Sequence, residues 1–139
     1  MSSIYTKISK INKQKLDKVE SELYVIRQAI FKIEDEIRNI YKYIDNLIIP
    51  QNGDIKLLNS FQESRRVLNV QKGMLSSDLQ VKNLELSKKQ QEYKESKLEH
   101  EKIKYLEEEE IAKKLEKLKK DEAKELDEIS SQLFKRSRH

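Results

Sequence analysis

Few residues of this chain have the types and the spacing that catalysis or metal binding requires. The densest group of possible ligands is a run of four glutamates at 107–110, but consecutive side chains fan around a helix and do not converge on one ion. The histidines, His100 and His139, have no companion at ligand spacing, and we expect His100 to be a solvated helix position. The chain has no cysteine and only two glycines, which argues against a thiol nucleophile and a glycine-rich phosphate loop. The sequence therefore predicts a protein that is not an enzyme and has no metal or cofactor.

The charges are numerous but nearly balanced, with 29 basic and 25 acidic residues. Nucleic-acid binding needs a basic stripe, and Arg65, Arg66 and Lys72 form only a small patch among interspersed acidic residues. No apolar signal-peptide core opens the chain, and no run approaches the roughly 20 apolar residues of a membrane span. We therefore expect a cytoplasmic protein that binds no nucleic acid and does not insert directly into a membrane.

The elements that carry these residues are long helices. Charged residues make up 39% of the chain and aromatic residues 6%, which is typical of helices with a narrow apolar seam and not of a globule. Disorder is the competing interpretation of such a composition. It gives no reason for the regular repeat in the first third, where ten apolar residues succeed each other at alternating spacings of 3 and 4. They are Leu16, Val19, Leu23, Ile26, Ile30, Ile33, Ile37, Ile40, Ile44 and Leu47.

One short stretch, 48–54, interrupts the helical pattern. Pro50 lacks a backbone donor and disfavours helical geometry at the residue before it. Asn52-Gly53 allows positive φ, so the chain can reverse there, and Asp54 is a good N-cap for the second helix. We predict a helix over 3–49, capped by Ser2 or Ser3, a turn over 50–54, a helix over 55–135 and a basic tail over 136–139. The predicted fold is all-α, a two-helix antiparallel coiled-coil hairpin that forms a single domain over 1–139.

The second helix is predicted to be the longer one, to run through Gly73 and to overhang at its C-terminus. With the turn centred near Asn52, Ile4 faces about His100. The base of the hairpin should pack loosely, because the stretch 12–15 supplies no apolar side chain and indicates a local stutter. Beyond His100 an apolar stripe persists in steps of eleven residues and suggests a partner outside this chain. Its members are Ile111, Leu115, Leu118, Leu126, Ile129 and Leu133.

Aromatic side chains off the seam allow two interpretations. Tyr24, Phe31, Tyr41 and Tyr43 either cover the edges of the seam or form a surface for a partner.

The layout resembles the FliJ family, the small coiled-coil component of the bacterial flagellar export apparatus, with YscO-type relatives in virulence secretion systems. The unequal arms and the position of the turn carry this resemblance along the whole chain. The most specific stretch reads Glu122-Ala123-Lys124-Glu125-Leu126-Asp127-Glu128-Ile129-Ser130. It is similar to the family's C-terminal pattern of Glu-Gln-Lys-Glu-Leu-Asp-Glu followed by an apolar residue and Ala, from which Ala123 and Ser130 depart conservatively. Phe61 also sits where the family tends to carry an aromatic.

The resemblance implies a fold similar to the two-helix stalk of the rotary ATPase gamma subunit. It implies three partners: the hexameric export ATPase FliI at the end that bears both termini, the cytoplasmic domain of the export gate FlhA towards the hairpin tip, and substrate chaperones. It also implies a location at the membrane-bound export apparatus of the flagellar base. The implied gate-side residues are Phe61, Tyr41 and Arg65. The implied ATPase-side residues are Glu122, Lys124, Leu126, Asp127 and Glu128.

Two other interpretations stay open at this point. A generic coiled-coil adaptor or homodimeric scaffold, in which the overhangs of two copies pair, would be unrelated to export. A prefoldin-like chaperone is a weaker choice, because prefoldins place β-hairpins between their helices and seven turn residues leave no room for one.

Overall fold

A computed structural model describes residues 3–51 and 53–137 of the chain. Two α-helices account for nearly all of these residues: α1 spans Ile4–Asp45 and α2 spans Ile55–Ser137. The described residues contain no strand. With 42 residues in α1 and 83 in α2, the prediction of an all-α hairpin with a longer second helix is confirmed. Neither helix combines the length and the apolar character that crossing a bilayer requires.

Side-chain caps start both helices. The Ser3 hydroxyl oxygen accepts a hydrogen bond from the Tyr5 amide at 3.0 Å, and the Asp54 carboxylate accepts one from the Lys56 amide at 3.0 Å. Each bond satisfies one of the amides that have no partner inside the helix. The predicted caps at Ser3 and Asp54 are confirmed, while the alternative cap Ser2 lies outside the described residues.

The first helix ends at Asp45, four residues before the predicted end at 49. Pro50 explains the difference, because its ring would clash with the carbonyl group of residue 46 in a continuing helix. The Asn46 amide still bonds to the Lys42 carbonyl group, at 3.0 Å, and the Leu47 amide then reaches only the Ile44 carbonyl group, at 3.2 Å. The helix therefore tightens and stops within one turn of its last regular bond.

The reversal uses the nine residues between the helices and needs no left-handed glycine. The Asn52-Gly53 pair allows a positive φ, but Gly53 does not have one, and Asn52 lies outside the described residues. A connection of this length spreads the change of direction over several residues, and none of its described residues has a positive φ. Gly73, by contrast, lies inside α2 as predicted. The helix ends at Ser137 instead of 135 and takes in the start of the predicted basic tail.

The chain divides into two compact units, one over Asp17–Glu95 and the other made of Met1–Leu16 with Ser96–His139. The sequence predicts a single domain, and both helices run through both units. Each unit pairs a segment of α1 with an antiparallel segment of α2.

In the unit over 17–95, the predicted isoleucine seam of α1 is the core. Its members from Val19 to Leu47 are all buried or half-buried, which confirms the predicted register. The facing side of α2 consists of half-buried residues at the same alternating spacing of 3 and 4, except for one step of seven at its start. They are Phe61, Leu68, Lys72, Leu75, Leu79, Lys82, Leu86, Lys89 and Tyr93.

Contacts between the helices define the pairing register. Glu22 pairs with Lys89, and the Tyr93 hydroxyl donates to the Glu20 carboxylate at 3.2 Å. The Lys72 ammonium lies over the ring of Tyr41. In these pairs the two residue numbers add up to 111–113, so the predicted register, in which Ile4 faces about His100, is wrong. The physical reason is that a non-helical residue advances up to about 3.3 Å against about 1.5 Å in a helix, so the connection carries the chain further before it reverses.

In the second unit, the described start of α1 pairs with α2 as far as Glu110, whose carboxylate accepts a hydrogen bond from the Ser3 hydroxyl at 2.5 Å. The α1 side of this seam runs from buried Leu16 through half-buried Asn12 to Ser9 and Tyr5. Asn12 fills the seam position that an apolar residue would take four residues before Leu16. Thr6 and Ile8 are half-buried as well, so the seam widens towards the start of α1. Ile4 and Ile11, which a helical period would favour, are exposed.

The α2 side of this unit is also polar. Ser96 is buried, and the half-buried members are His100, Ile103, Glu107 and Glu110. The expectation that His100 is solvated is wrong: its Nδ1 atom is enclosed and has no hydrogen-bond partner among the described residues. The same holds for Nδ2 of Asn12. The register set by Ser3 and Glu110 places these two side chains in the same layer of the seam.

Candidate partner-binding surfaces

Among the described residues of its unit, no helix packs against the C-terminal part of α2. Every residue over 111–137 is exposed, whereas the paired part of α2 up to Glu110 contains buried and half-buried positions. Seven large apolar side chains in this segment are exposed. Phe134 lies apart from the others on the helix, and the remaining six are 50–64% exposed. At about 100° per residue they fall within a sector of about 80° on one face of the helix. We call them the terminal stripe: Ile111, Leu115, Leu118, Leu126, Ile129 and Leu133.

Charges on the other faces support this part of the helix without covering the terminal stripe. Lys113 pairs with Glu109 at 3.7 Å and Lys120 with Glu116 at 3.6 Å, both at i,i+4 spacing. Pairs at this spacing stabilise an isolated helix weakly. Lys135 and Arg136 in the last turn have the sign that the helix dipole favours there. The segment can therefore remain helical while its apolar face stays available.

The terminal stripe does not continue the seam that α1 covers. After Glu107 and Glu110, that seam would pass through Lys114 and Lys117. The terminal stripe instead starts at Ile111, and each of its first members follows a seam position by one residue. One residue corresponds to about 100°, so the terminal stripe lies about 100° around α2 from the seam. A helix bound to the terminal stripe would therefore lie beside the line of α1 and would not extend it.

Glu110 marks the point where the pairing with α1 ends and the terminal stripe begins. The Ser3 hydroxyl lowers the pKa of its carboxyl group by hydrogen bonding, and Lys114, at 3.3 Å, lowers it further. Its side chain is therefore held as a carboxylate at the open end of the seam.

The structure separates the five residues that the resemblance assigns to the ATPase side. All five are exposed. Glu122 and Leu126 lie one turn apart on the face of the terminal stripe, and Glu122 fills the gap between Leu118 and Leu126. Lys124, Asp127 and Glu128 lie on the other side of the helix, each about 120° or more around it from the middle of the terminal stripe. A single partner helix could contact the first pair but not all five residues.

The residues assigned to the gate side do not form one cluster either. Phe61 is half-buried and begins the α2 seam, and Arg65 is exposed one turn further on. Tyr41 lies at the level of Lys72, whose ammonium is 4.9 Å from the centre of its ring. Lys72 is eleven residues beyond Phe61, or about 16 Å along the helix. Phe61 and Arg65 can act together, whereas Tyr41 belongs to a different level of the hairpin.

The off-seam aromatic residues are all at least half exposed. Lys72 lies over Tyr41, and the Arg38 guanidinium lies 6.0 Å from the ring centre of Phe31. Both cations belong to this chain. Both contacts are compatible with aromatic side chains that cover the edges of the seam and with aromatic side chains that form a surface for a partner.

Ion pairs define the register at the middle of the hairpin. Lys89 contacts Glu22 on α1 and also Glu92 on its own helix, at 3.0 Å. The hydrogen bond from Lys89 lowers the pKa of the Glu22 carboxyl group, and the bonds to Glu22 and Glu92 raise the pKa of Lys89. Near Phe61, the Arg66 guanidinium donates two hydrogen bonds to Glu63, at 2.6 and 3.1 Å, which lowers the pKa of Glu63 and raises that of Arg66.

Sequence reasoning missed the polar members of the α2 seam. Lys72, Lys82 and Lys89 are half-buried because a lysine stem can pack against apolar side chains while its ammonium reaches water. Their spacing from Leu75 and Leu79 is the signal that could have revealed them. Asn12 could have been found in the same way, from its distance of four residues to Leu16.

Within the described ranges, no three His, Cys, Asp or Glu side chains are grouped so that they could hold a metal ion. Among known protein families, the model described as "Flagellar FliJ protein" matches residues 2–139. No curated protein and no solved structure matches the chain.

Proposed function

The chain belongs to the FliJ family of flagellar proteins, and from that membership we propose a function in flagellar protein export. The protein is a non-enzymatic component of the export apparatus that binds a hexameric FliI-like ATPase and couples it to a FlhA-like export gate. It also interacts with substrate chaperones. It works in the cytoplasm, where its partners hold it against the membrane-bound apparatus at the flagellar base.

The observation that carries this proposal is the terminal stripe. Six apolar side chains at regular spacing lie on one face of a helix that has no partner in its own unit. An exposed apolar strip of this length is the anchor pattern of an amphipathic helix that docks into a groove. The ATPase is the partner we assign to it, with Leu126 and Glu122 as the contact residues among those that the resemblance names.

The gate contact is assigned to Phe61 and Arg65. The two residues lie within one turn of each other near the start of α2, and Arg65 is exposed. Tyr41 is assigned to the edge of the same surface, at the level of Lys72. The coupling then operates between two separate segments of α2.

A pair of matched variants tests the ATPase contact. Leu126 lies on the terminal stripe and is 64% exposed, while Leu98 lies off it and is 59% exposed. Glutamine is a good helix former, so Leu126→Gln and Leu98→Gln cost the helix little and equally. We expect the wild-type chain and Leu98→Gln to bind the purified ATPase of the same organism and to raise its turnover. Leu126→Gln should bind it about tenfold more weakly, equivalent to about 1.4 kcal/mol.

Two results would contradict the proposal. One is a wild-type chain that neither forms a complex with the ATPase nor changes its turnover. The other is an equal loss of binding in Leu98→Gln and Leu126→Gln, which would place the contact away from the terminal stripe.

A further inference from the structure

A second apolar face lies on α2 within the unit over 17–95. It begins at Val67 and repeats at spacings of 3 and 4, with Ser77 as its single polar member. The five apolar side chains are 40–66% exposed. We call these five residues together with Ser77 the outer stripe: Val67, Val70, Met74, Ser77, Val81 and Leu84.

The outer stripe faces away from α1. It is turned about 150° around the helix from the α2 seam, which includes Leu68 and Leu75. A continuous 3–4 repeat is the pattern of a coiled-coil interface. Within this unit α2 has two such repeats, and α1 already covers one of them, the α2 seam. The outer stripe is therefore suited to a second helix that comes from outside the chain.

We propose that this second helix is the same segment of another copy, and that two chains associate through antiparallel pairing of their outer stripes. When two copies of the outer stripe pair antiparallel about its middle, each member of one copy lies opposite a member of the other. Val67 meets Leu84, Val70 meets Val81, and Met74 meets Ser77, each of them twice because the arrangement is two-fold symmetric.

The charges that flank the outer stripe favour this pairing. The repeat extends to Glu63 at one end and to Lys88 at the other, and both residues are exposed; the Glu63 carboxylate also accepts hydrogen bonds from Arg66 on its own helix. In the antiparallel arrangement Glu63 of each copy meets Lys88 of the other. A parallel arrangement would instead place two glutamates together at one end and two lysines at the other, and like charges in contact disfavour association.

Gly73 gives independent support. A side chain at this position would meet nothing within 4 Å in the described part of the chain, so no contact there requires a glycine. Glycine in a helix interior is unfavourable relative to alanine. Gly73 precedes Met74 and lies at the edge of the outer stripe, where a small residue leaves room for a neighbouring helix.

Charge reversal tests the pairing in the full-length chain. Sedimentation equilibrium over about 1 µM to about 1 mM measures the dissociation constant of the dimer. We expect Glu63→Lys and Lys88→Glu each to weaken self-association at least tenfold, because like charges then meet at both ends. An equimolar mixture of the two variants restores opposite pairs at both ends, and its dissociation constant should return to within about threefold of the wild-type value.

A matched pair of valines tests the apolar layers. Val81 on the outer stripe is 61% exposed and Val25 on α1 is 65% exposed. Val81→Gln should weaken the dimer at least tenfold, and Val25→Gln should leave it unchanged.

Three results would overturn the proposal. The first is a wild-type chain that stays monomeric over the whole concentration range, which would leave the outer stripe to a different protein. The second is a dimer that Leu126→Gln weakens and Val81→Gln does not, which would place self-association on the terminal stripe. The third is a failure of the mixed charge variants to associate. No ATPase is present in these measurements, so they are independent of the proposed function.

Discussion

Val19 and Val25 provide a direct test of how the two helices pack. They lie six residues apart on α1, and Val19 is 2% exposed whereas Val25 is 65% exposed. Replacing either residue with alanine removes the same atoms and changes the helix propensity by the same amount. The difference between the two variants therefore isolates the contribution of burial in the seam.

The expected magnitudes depend on these exposures. Val19→Ala removes the equivalent of two buried methylene groups, worth about 0.8 kcal/mol each. The cavity that it leaves lowers the free energy of unfolding further. We expect the free energy of unfolding to fall by about 2–3 kcal/mol. Val25→Ala should change it by less than about 0.5 kcal/mol, in the stabilising direction, because alanine is the better helix former.

Urea unfolding monitored by circular dichroism measures both values. The midpoint should drop for Val19→Ala while the slope of the free energy against urea stays constant, since a change of slope would indicate an altered unfolded state or an intermediate. Equal losses in the two variants would refute the assigned seam. A larger loss of the free energy of unfolding in Val25→Ala than in Val19→Ala would show that α1 packs through the face that bears Val25.

Three further perturbations probe other parts of the hairpin. At low protein concentration, Gly73→Ala should raise the free energy of unfolding by up to about 1 kcal/mol, because the added side chain meets nothing within 4 Å; a loss in urea unfolding would reveal a neighbour at that position. Lys89 lowers the pKa of Glu22 in the folded state, so the stability from this pair is present above the unfolded pKa of Glu22 and is lost as the pH falls through its folded pKa. Urea unfolding across the acid range should show that loss, and Glu22→Gln should reduce it. Combining Asn12→Leu with His100→Leu removes two enclosed polar atoms that have no partner and should raise the free energy of unfolding by at least about 1 kcal/mol; a decrease would show that the two side chains bond to each other.

The sequence was sufficient to predict the α1 side of the hairpin, because its isoleucines repeat without interruption from Leu16 to Leu47. Pro50 and Asp54 were equally informative, since each acts on the backbone next to it. These features depend only on residues that are close together in the sequence, so they can be predicted from local sequence patterns. The caps and the longer second helix could be predicted for the same reason.

The pairing register could not be predicted in the same way. It depends on how far the non-helical connection carries the chain, and that distance is set by where α1 stops, at Asp45. The α2 seam was hidden because Lys72, Lys82 and Lys89 occupy positions that a search for apolar residues passes over. The polar layer of Asn12 and His100 was missed for the same reason.

The candidate sites were partly predictable. The terminal stripe could be predicted from the apolar repeat alone, but its rotation away from the intramolecular seam required knowing that Glu107 and Glu110 face α1. The grouping of Phe61 with Arg65, apart from Tyr41, also required the register. Side chains that share a family pattern, such as Leu126 and Lys124, are separated by the geometry of a helix.

Backbone amide hydrogen exchange, with and without the export ATPase, tests the central claim most directly. Amides in a helix without tertiary contacts open readily, and a bound partner slows their exchange. With the ATPase present, we predict slower exchange over 111–137 and unchanged exchange around Phe61 and Arg65. Protection that appears around Phe61 and Arg65 while 111–137 stays unchanged would contradict the assignment of the terminal stripe to the ATPase.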